Sequence, residues 1–173
     1  DTDYKIVFKN KGNQVESGTI NLTIPDNNTT GVTSPLTISG IPPGATITDV
    51  SVTVNIAHIW VEDVDITLTG PNNVAIDLSS DNGGSGDNYT NTVFSNNAVT
   101  PITSGTPPFT GTFLPEGNLT NSFSVPNGVW SLKVVDDASL INGTLNNWSI
   151  SITYTLHART ISWYRAASSG TLL

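Results

Sequence analysis

Two histidines, His58 and His157, are the imidazoles this chain could use as acid or base, and there is no cysteine or methionine. Thiolate nucleophiles, disulfides and thiolate metal sites are therefore excluded. No serine stands in a nucleophile-elbow pattern, so a Ser-His-Asp triad finds no starting point. His58 follows a strand-like run, and its plain reading is a partly buried imidazole bonded to a backbone group or a carboxylate. Hydrolysis by two carboxylates needs a pair flanking a cleft, and nothing in the sequence selects one. Divalent calcium suits the acids better, because it takes six to eight oxygens from Asp, Asn and backbone carbonyls. The run Asp81-Asn82-Gly83-Gly84-Ser85-Gly86-Asp87-Asn88 offers four Asp and Asn side chains as oxygen donors, with glycines that let carbonyls turn inward. It lacks the terminal glutamate of an EF-hand loop. Asp136 and Asp137 end one predicted strand and Asp26 follows another, so the expected calcium ligands are Asp26, Asp81, Asp87, Asp136 and Asp137. Asx-turns and solvated caps are the alternative role for the same residues.

The elements that must position these groups are strands. Val50, Val52, Val54 and Ile56 alternate with Ser51, Thr53 and Asn55; Val64, Ile66 and Leu68 alternate with Asp65 and Thr67. Trp130, Leu132 and Val134 form a third alternation, and Trp148, Ile150, Ile152 and Tyr154 a fourth. A period of two gives each strand one wet and one buried face, which needs a second sheet to cover it. Turn residues every eight to twelve positions, such as Gly70-Pro71-Asn72-Asn73 and Asn127-Gly128, complete the pattern of an all-β antiparallel sandwich. No helical periodicity appears. The stretch from Ser79 to Gly117 has weak strand signal, and excursions of that length are functional or metal-ordered. Tyr89, Phe94, Phe109 and Phe113 are expected to fasten it to the sandwich. Trp130 and Trp148 read as core, whereas Trp60 reads as an exposed interface residue.

The 173 residues carry six Lys+Arg against fourteen Asp+Glu, a formal charge of −8 that disfavours nucleic acid as a partner. No apolar run is long enough to span a bilayer, and no signal-peptide pattern is present. Residues 1–18 read as a linker arm or an edge strand, residues 19–156 as the sandwich. Residues 157–173, with both arginines and poor alternation, read as a vector-derived or disordered tail.

Several blocks in order resemble a known family. They are Ile24-Pro25-Asp26, Ile47-Thr48-Asp49-Val50, His58 and Glu62-Asp63-Val64-Asp65-Ile66-Thr67-Leu68-Thr69-Gly70-Pro71. Pro108-Phe109-Thr110-Gly111-Thr112-Phe113-Leu114-Pro115 follows, then Asn127-Gly128-Val129-Trp130-Ser131-Leu132-Lys133-Val134-Val135-Asp136 and Gly143-Thr144-Leu145-Asn146-Asn147-Trp148-Ser149-Ile150. From about Leu22 to Tyr154 the chain is similar to the P domain, or Homo B domain, of subtilisin-like proprotein convertases of the secreted bacterial type. His58 and Asp63 match family positions, and Glu62 stands where the family has glycine. The resemblance implies a jelly-roll-like β-sandwich that is not itself catalytic. It implies a protease catalytic domain, subtilisin-like serine or zinc metallopeptidase, as partner, and a secreted, extracellular location. The module would help that domain fold and stabilise it, with calcium (Ca2+) as the expected cofactor. The other reading is an extracellular adhesion or substrate-binding module for carbohydrate or insoluble protein.

Overall fold

Residues 11–156 are described by a computed structural model; residues 1–10 and 157–173, including His157 and the sequence read as a tail, lie outside the described residues. Each alternating run becomes a strand with its β-branched and aromatic side inward. In β4 (Ala45–Ala57) Val50, Val52 and Val54 are fully buried, with Ser51, Thr53 and Asn55 facing out. Strands β5 (Val64–Thr69) and β9 (Gly128–Asp136) behave likewise, as does β10 (Gly143–Leu156). One sheet runs β1 (Lys11–Glu16), β10, β4, β7 (Tyr89–Ser95), β8 (Phe109–Phe113), with β2 (Leu22–Ile24) also paired to β10. The other runs β3 (Asn28–Ile38), β9, β5, β6 (Ala75–Ser79). The fold is an all-β sandwich whose two inner faces share one apolar core.

Lys11–Glu16, within the stretch read as arm or edge strand, pairs with β10 at the sheet edge. One strand pair is not antiparallel: β7 and β8 run parallel, Tyr89 opposite Phe109 and Phe94 opposite Phe113. A parallel pair needs a crossover of about a dozen residues, and 96–108 supply it through a short 3-10 turn at Ile102–Ser104. The stretch expected to lack structure therefore contributes two strands. Its four aromatic residues are buried, with Tyr89 stacked on Phe109 at 4.9 Å and Phe113 edge-on to Phe109 at 5.8 Å.

The sandwich has two unlike ends. Lys11, Leu156, Ile38 and Ala45 lie at one; Ala57, Val64, Asp136 and Gly143 lie at the other. Both chain directions leave the described body from the first end. Trp130 and Trp148 fill the core, and the Trp148 indole N–H donates to Ser34 Oγ of the opposite sheet at 2.9 Å. Trp148→Phe removes that bond between sheets and leaves a void. It should lower the melting temperature by about 5–10 °C in calorimetry, whereas a shift under about 2 °C would show that the indole does not tie the sheets.

Candidate functional site

β4 ends at Ala57, and the chain turns through His58 and a 3-10 turn at Val61–Asp63 before β5 begins. The His58 side chain has no exposed surface, and its Nε2 lies 3.2 Å from Oδ2 of Asp136, itself fully buried. Its Nδ1 accepts the Trp60 N–H at 3.1 Å. A nitrogen that accepts carries no proton, so the ring proton sits on Nε2 and is donated to Asp136. The other oxygen of Asp136 accepts the Ala138 N–H at 3.2 Å. Both imidazole nitrogens are thus engaged inside the fold, and His58 cannot take a proton from a substrate hydroxyl. Gly143 makes room for the ring: a Cβ there would stand 2.6 Å from His58 Cδ2.

Asn88 holds His58 from the other side. Its Oδ1 accepts the His58 N–H at 2.9 Å, and its own N–H donates to the His58 carbonyl at 2.8 Å. The glycine-rich run before it is sewn to the same segment, with Val61 N–H on Gly86 O at 2.9 Å and Glu62 N–H on Gly84 O at 3.2 Å. Gly83, at φ +90°, lies so close to Pro107 and Phe109 that a Cβ would meet them at 2.7–2.8 Å. The carbonyls of Gly83, Gly84 and Gly86 thus accept backbone N–H groups of the protein. Glu62 sits in the 3-10 turn outside the left-handed region, so its position does not demand glycine.

The five aspartates expected as calcium ligands are placed apart in role. Asp136 is buried and bonded to His58. Asp137 is exposed just beyond it, its N–H on Asp63 O at 3.2 Å. Asp26 is exposed near His58, and Asp81 and Asp87 are exposed on the glycine-rich loop. Among the described residues no three His, Asp or Glu side chains gather into a group able to hold a metal ion. As a full carboxylate cage, the expected set does not fit calcium. The carboxylates that do share one field include three outside that set. Burial raises the pKa of Asp63, with Asp136 adding to the rise; burial raises Asp65, against a Ser80 hydrogen bond, with Asp81, Asp137 and Asp77 adding. Burial raises Asp77 too, opposed by the Ser80 hydroxyl, which lies 3.0 Å from both its oxygens. Oδ1 of Asp65 is buried without a hydrogen-bond partner.

A cavity of about 560 Å³ opens at this end, walled by Asp26, His58, Ile59, Asn88, Leu140 and Ile141. Its rim is apolar and wet: Ile59 is 60% exposed and Leu140 91%, with neighbouring Trp60 at 43%. Leu140 holds φ +103°, a backbone cost of about 1–3 kcal/mol for a residue with a Cβ. Sequence patterning marks Trp60 but not Leu140, whose exposure and backbone angle are tertiary facts. Asn88, read only as an oxygen donor, turns out to clamp His58.

With this geometry in hand, comparison with known proteins is direct. The sequence profile described as "Proprotein convertase P-domain" matches residues 47–152. This chain belongs to the proprotein convertase P-domain family. The P domain is 32% identical over 132 residues to "Leupeptin-inactivating enzyme 1" of Streptomyces exfoliatus, covering 76% of this chain and 24% of that protein. It spans only about a quarter of that relative's length. Its fold is shared with the crystal structure of a serine protease of Aeromonas sobria, alone (TM-score 0.53, 15% identity, 87% of this chain and 28% of that one). The same holds for that protease in complex with the chaperone ORF2 (TM-score 0.55, 17% identity, 88% and 28%).

The raised carboxylates set a pH dependence. A folded-state pKa above the ordinary value of 3.8 means the folded form binds the proton more tightly. The contribution of Asp63, Asp65 and Asp77 is thus fully present below 3.8 and lost as pH rises through their raised values. The melting temperature should gain from these groups as pH falls from neutrality toward 3.8, and Asp65→Asn should raise it at neutral pH by about 2 °C or less while flattening that gain. A curve that falls over that interval, or an unchanged slope in Asp65→Asn, would contradict this assignment.

Proposed function

We propose that this P domain is the non-catalytic accessory domain of a secreted bacterial peptidase, docking on its catalytic domain through the His58 end and stabilising it. One observation carries the reading: Ile59 and Leu140 stand exposed on the wall of one cavity, with exposed Trp60 next to Ile59 in the chain and Leu140 in a costly backbone conformation. A soluble domain keeps such a feature where a partner covers it. Binding that favours the folded state of the partner raises the partner's stability by linkage. Family membership and the similarity to a leupeptin-inactivating enzyme and a serine protease support a peptidase as the neighbour, either a subtilisin-like serine enzyme or a zinc metallopeptidase.

The test compares the parent peptidase with and without this module, and with Ile59→Ser, Trp60→Ser and Leu140→Ser together. The triple variant should leave the isolated domain's melting temperature nearly unchanged but lower that of the peptidase transition by about 3 °C or more. A peptidase transition indifferent to deletion of the module would remove the accessory role. Indifference to the triple variant alone would move the docking face elsewhere. Class-specific inhibitors of the parent's activity would separate the serine from the zinc enzyme.

Calcium stabilisation is the finer part of the proposal. Its support is the repulsion that Asp77, Asp81 and Asp137 exert on Asp65, together with the buried Asp65 Oδ1 that has no hydrogen-bond partner. A cation that prefers the folded state adds RT ln(1 + [L]/Kd), so millimolar calcium should raise the melting temperature above that in excess chelator. Superimposable curves in the two conditions would strike calcium from the account and leave the docking role intact.

A further inference from the structure

The outer face of the first sheet carries a polar groove of about 380 Å³, whose lining shares no residue with the cavity at the His58 end. Its floor is a row of three asparagines across neighbouring strands: Asn147 of β10, Asn55 of β4 and Asn91 of β7. The Asn55 amide donates to Oδ1 of Asn91 at 3.1 Å and of Asn147 at 2.9 Å, while its own Oδ1 accepts the Asn91 N–H at 2.7 Å. One wall is the turn at Gly18 and Thr19, fastened where Ser17 Oγ accepts the Trp148 N–H at 3.0 Å. Gln14 and Glu16 of β1 line the groove beside them.

The sheet is bent to make this groove. The pairing of β10 with β4 slips between Leu145 and Asn147, and that of β4 with β7 slips between Val54 and Ile56. Asn91, at φ +48°, lies in the second irregularity. Bulges curve a strand and re-aim its side chains, and two of them flank the same asparagine row. Asn55 is consumed in holding the row together. The Nδ2 groups of Asn91 and Asn147, the Oε1 of Gln14 and the hydroxyls of Thr53 and Ser149 have no partner among the described residues. The groove thus presents unspent donors and acceptors side by side on a rigid sheet.

The lining chemistry narrows the ligand. Among the described residues the lining has no lysine or arginine for a phosphate, sulfate or uronate, and one carboxylate, Glu16, already accepts from Gln14 Nε2 at 3.1 Å. Extended peptides are captured at a free sheet edge or in an apolar groove, and this is a polar groove on a sheet face. Amides and hydroxyls in alternation match vicinal sugar hydroxyls, each of which donates and accepts. The volume is that of a small-ligand site, at the lower end of the usual range. We propose that this groove binds a neutral saccharide, as a segment of a polysaccharide chain lying across β10, β4 and β7. Trp148, the aromatic residue in the lining, is buried in the core and offers no platform, so the affinity is low, about millimolar, and gains from repeated sites on an insoluble polymer. The site is independent of the docking role at the His58 end.

The test is a heteronuclear NMR titration of the full chain with cellohexaose, maltohexaose and chitohexaose up to about 10 mM, with a neutral Gly/Ser hexapeptide in parallel. At least one saccharide should shift the amides of residues 14–19, 53–55, 91 and 147–149. Asn91→Gly, which keeps the backbone angle, and Gln14→Ala should each weaken that binding about fivefold or more with melting temperature unchanged. No saccharide shift at the highest concentration, shifts confined to the His58 end, or a response to the peptide alone would each overturn the proposal. Equal binding by the folded variants would do so as well.

Discussion

Asp136 has no exposed surface, and a carboxylate can remain there only if donors replace the water it has lost. His58 Nε2–H and the Ala138 N–H do so, one on each oxygen. That requirement reaches across the molecule. It fixes the imidazole tautomer, which obliges the Trp60 N–H to point at Nδ1 and so sets the course of the chain beyond β4. It requires Gly143 at the start of β10, because any Cβ would strike the ring. It brings the ends of β4 and β9 together, one from each sheet, and closes the core at that end.

The same constraint separates the two ends in character. Lys11 and Leu156, the first and last described residues, lie at one end. At the other end the closure leaves Ile59 and Leu140 on a rim around a cavity, next to a field of carboxylates. An apolar rim beside unneutralised acids suits a protein surface that brings both an apolar side chain and positive charge. The imidazole that could have suggested chemistry is spent on architecture.

The glycine-rich loop shows how a plausible ligand set is lost to the fold. Asp81 through Asn88 has the oxygen count and flexibility that calcium favours. In place, Gly84 and Gly86 give their carbonyls to the 58–62 segment, and Asn88 gives its side-chain oxygen to the His58 N–H. The glycines serve close approach, Gly83 to Pro107 and Phe109, more than they serve a cation. The loop is ordered by the protein's own backbone donors, and its aspartates are left facing solvent.

What the amino-acid order determined by itself was everything local. Alternation at period two marked β4, β5, β9 and β10, because a half-buried strand must sort its side chains by solvent. It marked Trp130 and Trp148 as core for the same reason, and Trp60 as exposed because it follows the turn at His58. It missed β7 and β8, whose exposed central residues, Thr90 and Asn91 in one and Thr110 to Thr112 in the other, mask two ends that are buried. Their parallel pairing depends on the distant partner each strand finds, which no local pattern encodes. The meeting of His58 with Asp136, the strain at Leu140 and the asparagine row were decided only by the tertiary structure. Each joins residues 30 or more positions apart, or depends on what surrounds one residue, and proximity of that kind is created by packing two sheets face to face.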